Sequence, residues 1–293
     1  MDRKVFTIMV LYIGVAIGIV VSFTSFHKST TGVSAIHMLD IGQGDSFLIV
    51  APNGAKMLID GGKDAQVLTK LSEVLPLGDS SIDVVLATHP DADHIGGLPY
   101  VLDRYHVGLF LTSDVFSDTK TVASMYSILD KKKIPSYYVR HGMYVDFGTD
   151  TISPQNHFDV LFPDRDTSHW ETNSASVVGK LYLGNRTALF TGDSPIAIEA
   201  YLLQTIPEIL PSDILKLGHH GSKTSNSFNY LKTIHPSLAL ISAGVDNSYG
   251  HPHQETLTTL STLHIPYVST QTAGTVTLTV SSDGTTWNTK KEK

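Results

Sequence analysis

No cysteine occurs anywhere in the sequence. Disulfides and thiolate metal sites are thereby excluded, so any metal must be held by imidazole and carboxylate. The absence does not fix a compartment, because many exported proteins need no disulfide. Charge is sparse too: 17% of the 293 residues are Asp, Glu, Lys or Arg, with 21 bases against 28 acids. The one dense lysine cluster, "DKKKIP" at 130–135, reads as a solvated helix end. Few aromatics stand beside basic residues, so the sequence lacks the usual footprint of tight duplex binding or of strand stacking. There is no repeat at a fixed short period and no low-complexity tract.

Long apolar runs are equally scarce, and the conspicuous one lies at the start. Behind Arg3 and Lys4, an apolar stretch runs from Val5 to about Phe23. At about 1.5 Å per residue it matches a hydrocarbon core of about 30 Å. It predicts an N-terminal transmembrane or signal helix, either an uncleaved signal-anchor or a signal peptide. The basic flank keeps the N-terminus cytoplasmic and sends the rest outside, membrane-anchored or secreted. Gly14 and Gly18 form a GxxxG pair, a pattern common by chance. Without the first 31 residues the chain loses Arg3, Lys4, Lys28 and Asp2, leaving 18 bases, 27 acids and a net charge of −9. Such a domain is a poor global attractor for nucleic acid, although bound divalent metal offsets some of the charge.

Hydrophobic residues make up 41% of the chain, enough for a sizeable core. Apolar strands alternate with amphipathic helices. "SFLIV", a "PNG" turn and "KMLI" read as a hairpin; "DAQVLTKLSEVL" and "HQETLTTLSTLH" follow helical spacing. "GTVTLTVSSDGTTWNT" alternates like a closing hairpin. Hairpins interspersed with helices predict mixed sheets covered by helices.

Polar clusters recur at strand ends. "THPDADHIGGL" follows the strand "SIDVVLA" and offers His89, Asp91, Asp93 and His94 within six residues. A calcium loop starting at Asp91 fails, because Ile95 and Leu102 occupy ligand positions. Asp91 or Asp93 capping the next helix is the plain alternative. Three further strands end in similar fashion: "ALFTGD" at Asp193, "ILKLGHHGS" at His219 and His220, and "LALISAGVDNSYGHPH" near His251 and His253. Together they are what an assembled metal site requires.

In their order, "LDIGQGDS", "LIDGG", "HPDADHIGG", "TGD", "GHHGS" and "YGHP" resemble the metallo-β-lactamase superfamily, and within it the hydrolase-like domain of the competence protein ComEC and its free-standing relatives. The resemblance covers about residues 35 to 282. It implies a four-layer αββα sandwich for a hydrolase domain over 35–282; the apolar run makes residues 1–27 a signal-anchor or signal peptide, with 28–34 a linker and 283–293 a C-terminal tail. Residue by residue, it makes His89 and Asp91 ligands of a first metal, and Asp93, His94 and His219 ligands of a second. Asp193 bridges the two metals, and Asp60 props the motif loop from behind. Two departures stand out. Asp91 replaces a histidine of the family's H-x-H-x-D-H motif, and Asn173 and Ser174 fall where a middle histidine is expected. Hard oxygen in place of imidazole favours manganese or magnesium over zinc.

The remaining residues keep two readings. His220 is a proton shuttle or a ligand. His251 contacts the site or caps the helix after it. Ser222 holds a phosphate oxygen or shapes its turn, and Gln43 and Asp45 sit near the site or only form a turn. The resulting expectation is a hydrolase with one or two divalent ions (Zn, Mn or Mg) that activate water. The substrate is a phosphodiester, either single-stranded DNA or a cell-envelope polymer. The alternatives are hydrolysis of a carboxylic ester, lactone or β-lactam, and a non-catalytic metal-stabilised binding module of an uptake machine.

Overall fold

A computed structural model of the chain describes residues 4–12, 20–27, 33–148, 156–280 and 287–292. Its strands, in chain order, are β1 (Lys4–Tyr12), β2 (Val20–His27), β3 (Ser34–Met38), β4 (Phe47–Val50), β5 (Lys56–Ile59), β6 (Ser81–Ala87), β7 (His106–Thr112), β8 (Ser136–Tyr138) and β9 (Met143–Asp146). They continue with β10 (Asn156–Phe162), β11 (Val178–Leu183), β12 (Arg186–Phe190), β13 (Ile214–Lys216), β14 (Leu238–Ile241), β15 (Tyr267–Ser269), β16 (Thr275–Val280) and β17 (Trp287–Glu292). The helices are α1 (Gln66–Val74), α2 (Ala92–Ile95), α3 (Leu98–Arg104), α4 (Lys120–Lys132), α5 (Ile196–Thr205), α6 (Phe228–Ile234), α7 (Gln254–Thr262) and α8 (Thr270–Ala273).

Two mixed sheets form, ordered β17-β16-β3-β4-β5-β6-β7-β8 and β15-β14-β13-β12-β11-β10-β9-β1-β2. In each, antiparallel hairpins give way to parallel strands: β5 to β8 in the first, β12 to β15 in the second. The sheets bury their facing sides against each other. Phe47 of one meets Phe190 of the other edge to face, with ring centroids 5.4 Å apart. The outer face of the first sheet is sealed by Val67, Leu71, Val101, Leu102 and Leu129 of α1, α3 and α4. Ile198, Leu202, Leu231 and Leu260 of α5, α6 and α7 cover the second. This is the expected αββα order of layers, and it follows from the sequence pattern. A strand buried on both faces reads as a continuous apolar run, whereas a covering helix is apolar on one stripe.

Two stretches differ from expectation. The described parts of the N-terminal apolar run are extended: Lys4–Tyr12 and Val20–His27 pair as antiparallel strands, and β1 also pairs with β9. The segment is rich in Val, Ile, Phe and Thr, which favour extended backbone, and β9 offers it a sheet edge. Among the described residues no helix is long and apolar enough to cross a membrane. Residues 13–19 and 28–32, which include Gly14, Gly18 and most of the linker, lie outside the described residues. At the other end, part of the expected tail is a strand, since Trp287–Glu292 pairs with Thr275–Val280.

The parallel strands of both sheets point their C-terminal ends the same way. The loops leaving β5, β6, β12, β13 and β14 therefore meet at one rim, where α/β folds characteristically put their chemistry.

Candidate metal centre

The turn after β6 is held from behind by Asp60, at the end of β5. The Thr88 backbone N–H donates to its Oδ1 at 2.8 Å, and the Thr88 hydroxyl donates to its Oδ2 at 2.7 Å. His94 Nδ1 lies 2.8 Å from the same Oδ2. Asp60 is fully buried and has a φ of +58°, a left-handed conformation that Asp tolerates better than most residues. Close packing draws the loop from β3 against this turn. Gly44 has a φ of +123°, and a Cβ there would lie 2.0 Å from the Asp93 carbonyl oxygen. The approach delivers the buried Asp45 to the same place.

Four groups converge: Asp45, His94, Asp193 and His220 each offer a ligand atom, all within 4.8 Å of one another, and all are buried. His94 Nε2 is 3.3 Å from Asp193 Oδ1, and His220 Nε2 is 3.4 Å from Asp193 Oδ2. Asp93 Oδ2 stands 3.2 Å from His220 Nε2. Three imidazoles share one orientation. The Thr88 hydroxyl already donates to Asp60, so His89 Nδ1–H donates to Thr88 Oγ1 at 3.0 Å. His94 Nδ1 faces Asp60, and His220 Nδ1–H donates to the Ser242 carbonyl at 3.0 Å. Each ring thus turns Nε2 inward, and those three buried atoms have no hydrogen-bond partner. A carbonyl, hydroxyl or carboxylate fixing Nδ1–H while Nε2 stays free is the arrangement of a metal-ligating histidine. The set therefore fits a divalent cation.

Electrostatics agree. Burial would push the His94 imidazole down, but Asp193 and Asp60 beside it hold it well above its usual range. Burial is likewise outweighed at His220, where Asp193 and Asp45 raise the ring to about 9. The reverse holds for Asp193: burial favours its neutral form, yet His220, His94 and Lys216 hold its carboxyl well below the usual range. His89 is driven down to about 3 by burial and by the charge on His94, so it stays neutral.

Lys216, the last residue of β13, went unnoticed in the sequence and is central to the site. Its buried ammonium donates to the Gly192 carbonyl at 2.6 Å, lies 3.4 Å from Asp193 Oδ1, and contacts Asp45 Oδ2 directly. Burial opposes its charge, but Asp45 and Asp193 hold it above the usual lysine range. The one available signal was a lysine inside the otherwise apolar run "DILKLG": a cation in a buried strand needs an anion beside it. Asp45, left between site and turn by sequence reasoning, is inside the cluster.

The other expected residues lie further out. His219 Nε2 is 3.7 Å from Asp193 Oδ2 and partly exposed, so the inner of the two adjacent histidines is His220. Both have a positive φ, 49° and 54°, a strained pair of left-handed residues that aims them at the site. Asp91 Oδ2 is 3.8 Å from His89 Nε2, and its carboxyl is raised by burial. Asn173 heads a short 3-10 turn, and its buried Oδ1 has no partner. The same turn leads to Ser176, whose Oγ accepts from the Asp193 backbone N–H at 3.1 Å. The Ser222 hydroxyl bonds Thr224 at 2.9 Å, which is the turn-shaping role. His251 stands over His219 with ring centroids 5.2 Å apart, its ring lowered to about 4 by burial and by His220 and His219. Its buried Nδ1 has no partner.

Two sheets between helices, with imidazoles and carboxylates gathered at one rim, define a metal-binding αββα protein. The chain belongs to the metallo-beta-lactamase superfamily, whose profile it matches over residues 39–244. It is 29% identical over 259 residues to ComE operon protein 3 of Bacillus subtilis, which covers 82% of this chain and 32% of that protein. It is 30% identical over 227 residues to Recombination protein 2 of Haemophilus influenzae, covering 74% and 25%. Competence protein ComA of Neisseria gonorrhoeae is 28% identical over 222 residues, covering 75% and 28%. The chain thus spans a quarter to a third of the length of these relatives. Among solved structures, Igni18, a metallo hydrolase from Ignicoccus hospitalis, has the same fold at a TM-score of 0.52 and 15% identity, covering 83% of this chain and 98% of that one.

Proposed function

We propose that this chain is a metal-dependent phosphodiesterase or nuclease that works outside the cytoplasmic membrane. The observation that carries the reading is the oxygen-rich donor set: Asp45, Asp93 and Asp193 share one centre with His94 and His220. Hard carboxylate donors suit manganese or magnesium, the ions that commonly accompany phosphate oxygens. The similarity to a named competence protein supports a DNA substrate during uptake. The apolar stretch from Val5 to about Phe23 behind Arg3 and Lys4 supports attachment to, or passage through, a membrane. A cell-envelope phosphodiester polymer is the other substrate of the same chemistry.

One or two divalent ions bound here lower the pKa of a water and stabilise charge on the reacting phosphoryl group. The chain's own residues do the rest. Asp45, Asp93, Asp193, His94 and His220 would hold the ions, with His89, Asp91 and His219 at their flank. Asp60 fixes the His94 ring through Nδ1, and the Ser242 carbonyl fixes His220. Lys216 anchors Asp45 and Asp193, so that neither carboxylate swings away. His251, kept neutral by burial and by His220 and His219, stands beside His219 and can accept a proton or orient the substrate.

A second reading, a metal-stabilised binding module without turnover, draws on the missing middle histidine at Asn173. The experiment separates the two. The purified full chain is assayed with manganese, magnesium and zinc on bis(p-nitrophenyl) phosphate, single-stranded DNA and nitrocefin, with bound metal measured in parallel. Phosphodiester turnover is expected. Bound metal without turnover supports the binding module, and turnover of nitrocefin alone removes the phosphate assignment.

A further inference from the structure

A cavity of about 760 Å³ opens beside the metal turn and has no role so far. Pro90, between His89 and Asp91, forms part of its wall. The parallel register of β6 and β7 explains the adjacency: Ala87 pairs with Thr112, so the segment leaving β7 runs beside the segment that carries the motif. A third piece is locked on by Asp114, whose Oδ1 accepts from the Thr167 backbone N–H at 3.2 Å and whose carboxylate also pairs with Arg140. The Phe116 N–H donates to the Ser168 carbonyl at 3.0 Å. The cavity is therefore built from three tied segments.

Its chemistry is selective. Phe116, Met125, Tyr126 and Tyr138 supply flat or polarisable apolar surface, and Phe116 is 72% exposed, an unusual cost for an isolated phenyl ring. Tyr126 and Tyr138 lie on the same wall, and burial together with the Tyr138 phenol raises the Tyr126 hydroxyl above its usual range. Ser113 is a buried residue of the same wall. Among the described residues, no lysine or arginine lines the cavity; the Asp114 charge is matched by Arg140, while Asp166 adds a second carboxylate and His169 an imidazole to the wall. A phosphate gains nothing there. A neutral, flat, aromatic group gains stacking surface on these side chains. The volume falls within the usual range for small-molecule sites, about 300–1,000 Å³.

We infer that this cavity is a nucleobase subsite: it holds a base of a single-stranded nucleic acid while the adjoining phosphate lies at the metal centre. The inference rests on the phosphodiester reading and names the substrate class. It also accounts for a nucleic-acid site on an acidic chain, because affinity comes from stacking more than from charge.

The test measures binding apart from turnover. Fluorescein-labelled dT6 and an abasic oligomer of the same length are titrated with the full chain in EDTA, and anisotropy is read. The wild type is expected to bind dT6 about tenfold more tightly or better, the scale of stacking one base on an aromatic platform. Phe116→Ala, at an exposed position and with an unchanged melting temperature, is expected to bring that ratio below twofold; Tyr138→Ala is expected to narrow it as well. Equal binding of both oligomers by the wild type overturns the inference. So does a base preference that survives in both variants. A base preference without phosphodiester turnover would keep the subsite and remove the hydrolase reading, whereas turnover without base preference would do the opposite.

Discussion

Replacing Asp60 with Asn probes the support behind the metal centre while leaving every direct ligand in place. Asn has the same shape and tolerates the positive φ at this position better than Ala does. Asp60 takes three hydrogen bonds, from the Thr88 backbone N–H, the Thr88 hydroxyl and His94 Nδ1. An Asn offers a single acceptor oxygen, and its amide group meets at least one of these donors head on. If the amide faces His94, the ring must carry its proton on Nε2 and can no longer bind metal. Two consequences follow. Losing one hydrogen bond to a buried charged group costs about 1.5–3 kcal/mol of stability. Misorienting a ligand from behind weakens metal binding by roughly 10–100-fold. The assay is a manganese or zinc titration of Asp60→Asn against the wild type with a competing indicator, with thermal unfolding followed in the same buffer. A folded variant with metal affinity within twofold of wild type would show that His94 does not depend on Asp60 for its orientation, or does not bind metal at all.

Other substitutions and conditions follow from the same site. Lys216→Met leaves Asp45 and Asp193 buried without their cation; removing one partner of such a pair costs about 3–5 kcal/mol, and added manganese should recover part of the lost melting temperature because it supplies positive charge to the same carboxylates. Asp193→Ala and His89→Ala should each lower phosphodiester turnover by at least ~10²-fold if the metals generate the nucleophile; unchanged rates would contradict Asp193 as a ligand and His89 as part of the centre. In metal-free protein, His94 and His220 have folded-state pKa values raised above the ordinary 6.5, His220 to about 9. The His220 contribution is complete below about 6.5 and is lost as pH rises through about 9, so the melting temperature of the metal-free protein should fall over that window. Metal-loaded protein should not show this fall, and a flat metal-free profile would refute the charge assignment.

Most of the fold was legible because the chain obeys local rules. Val84, Val85 and Leu86 of β6 are buried on both faces and read as a continuous apolar run. Leu71 of α1 and Leu260 of α7 lie on single apolar stripes. The short strands β8, β9 and β15 were not legible; three or four residues carry too little periodicity, and neighbouring strands decide their conformation. The N-terminal run is ambiguous for the opposite reason, since uniform apolarity is compatible with a membrane helix and with paired strands alike. In the site, His89, Asp93, His94 and Asp193 stood out because each ends a strand in a short polar motif. The choice between His219 and His220 rests on two consecutive left-handed residues, and sequence spacing does not report backbone handedness. Lys216 stayed hidden because its partners, Asp45 and Asp193, are brought to it by two different sheets.

Charge balance explains why these groups tolerate one another. Asp45, Asp93 and Asp193 are three carboxylates at one centre, and all are held below the usual range. In metal-free protein Lys216 and the raised His94 and His220 supply the compensating positive charge. Lys216 is fixed, because its ammonium is tied to Asp45, Asp193 and the Gly192 carbonyl. The two imidazolium protons sit on Nε2, the atoms that face Asp193 and Asp93. A divalent ion entering there exchanges two units of charge for two protons and leaves the total nearly unchanged. Metal uptake near neutral pH should therefore release close to two protons per ion, and the apparent affinity should rise with pH until His220 is deprotonated near 9. Calorimetric titration in two buffers of different ionisation enthalpy measures that number directly. Release of no protons would mean that neither imidazole gives up its Nε2 to the metal, and the ligand set proposed here would be wrong.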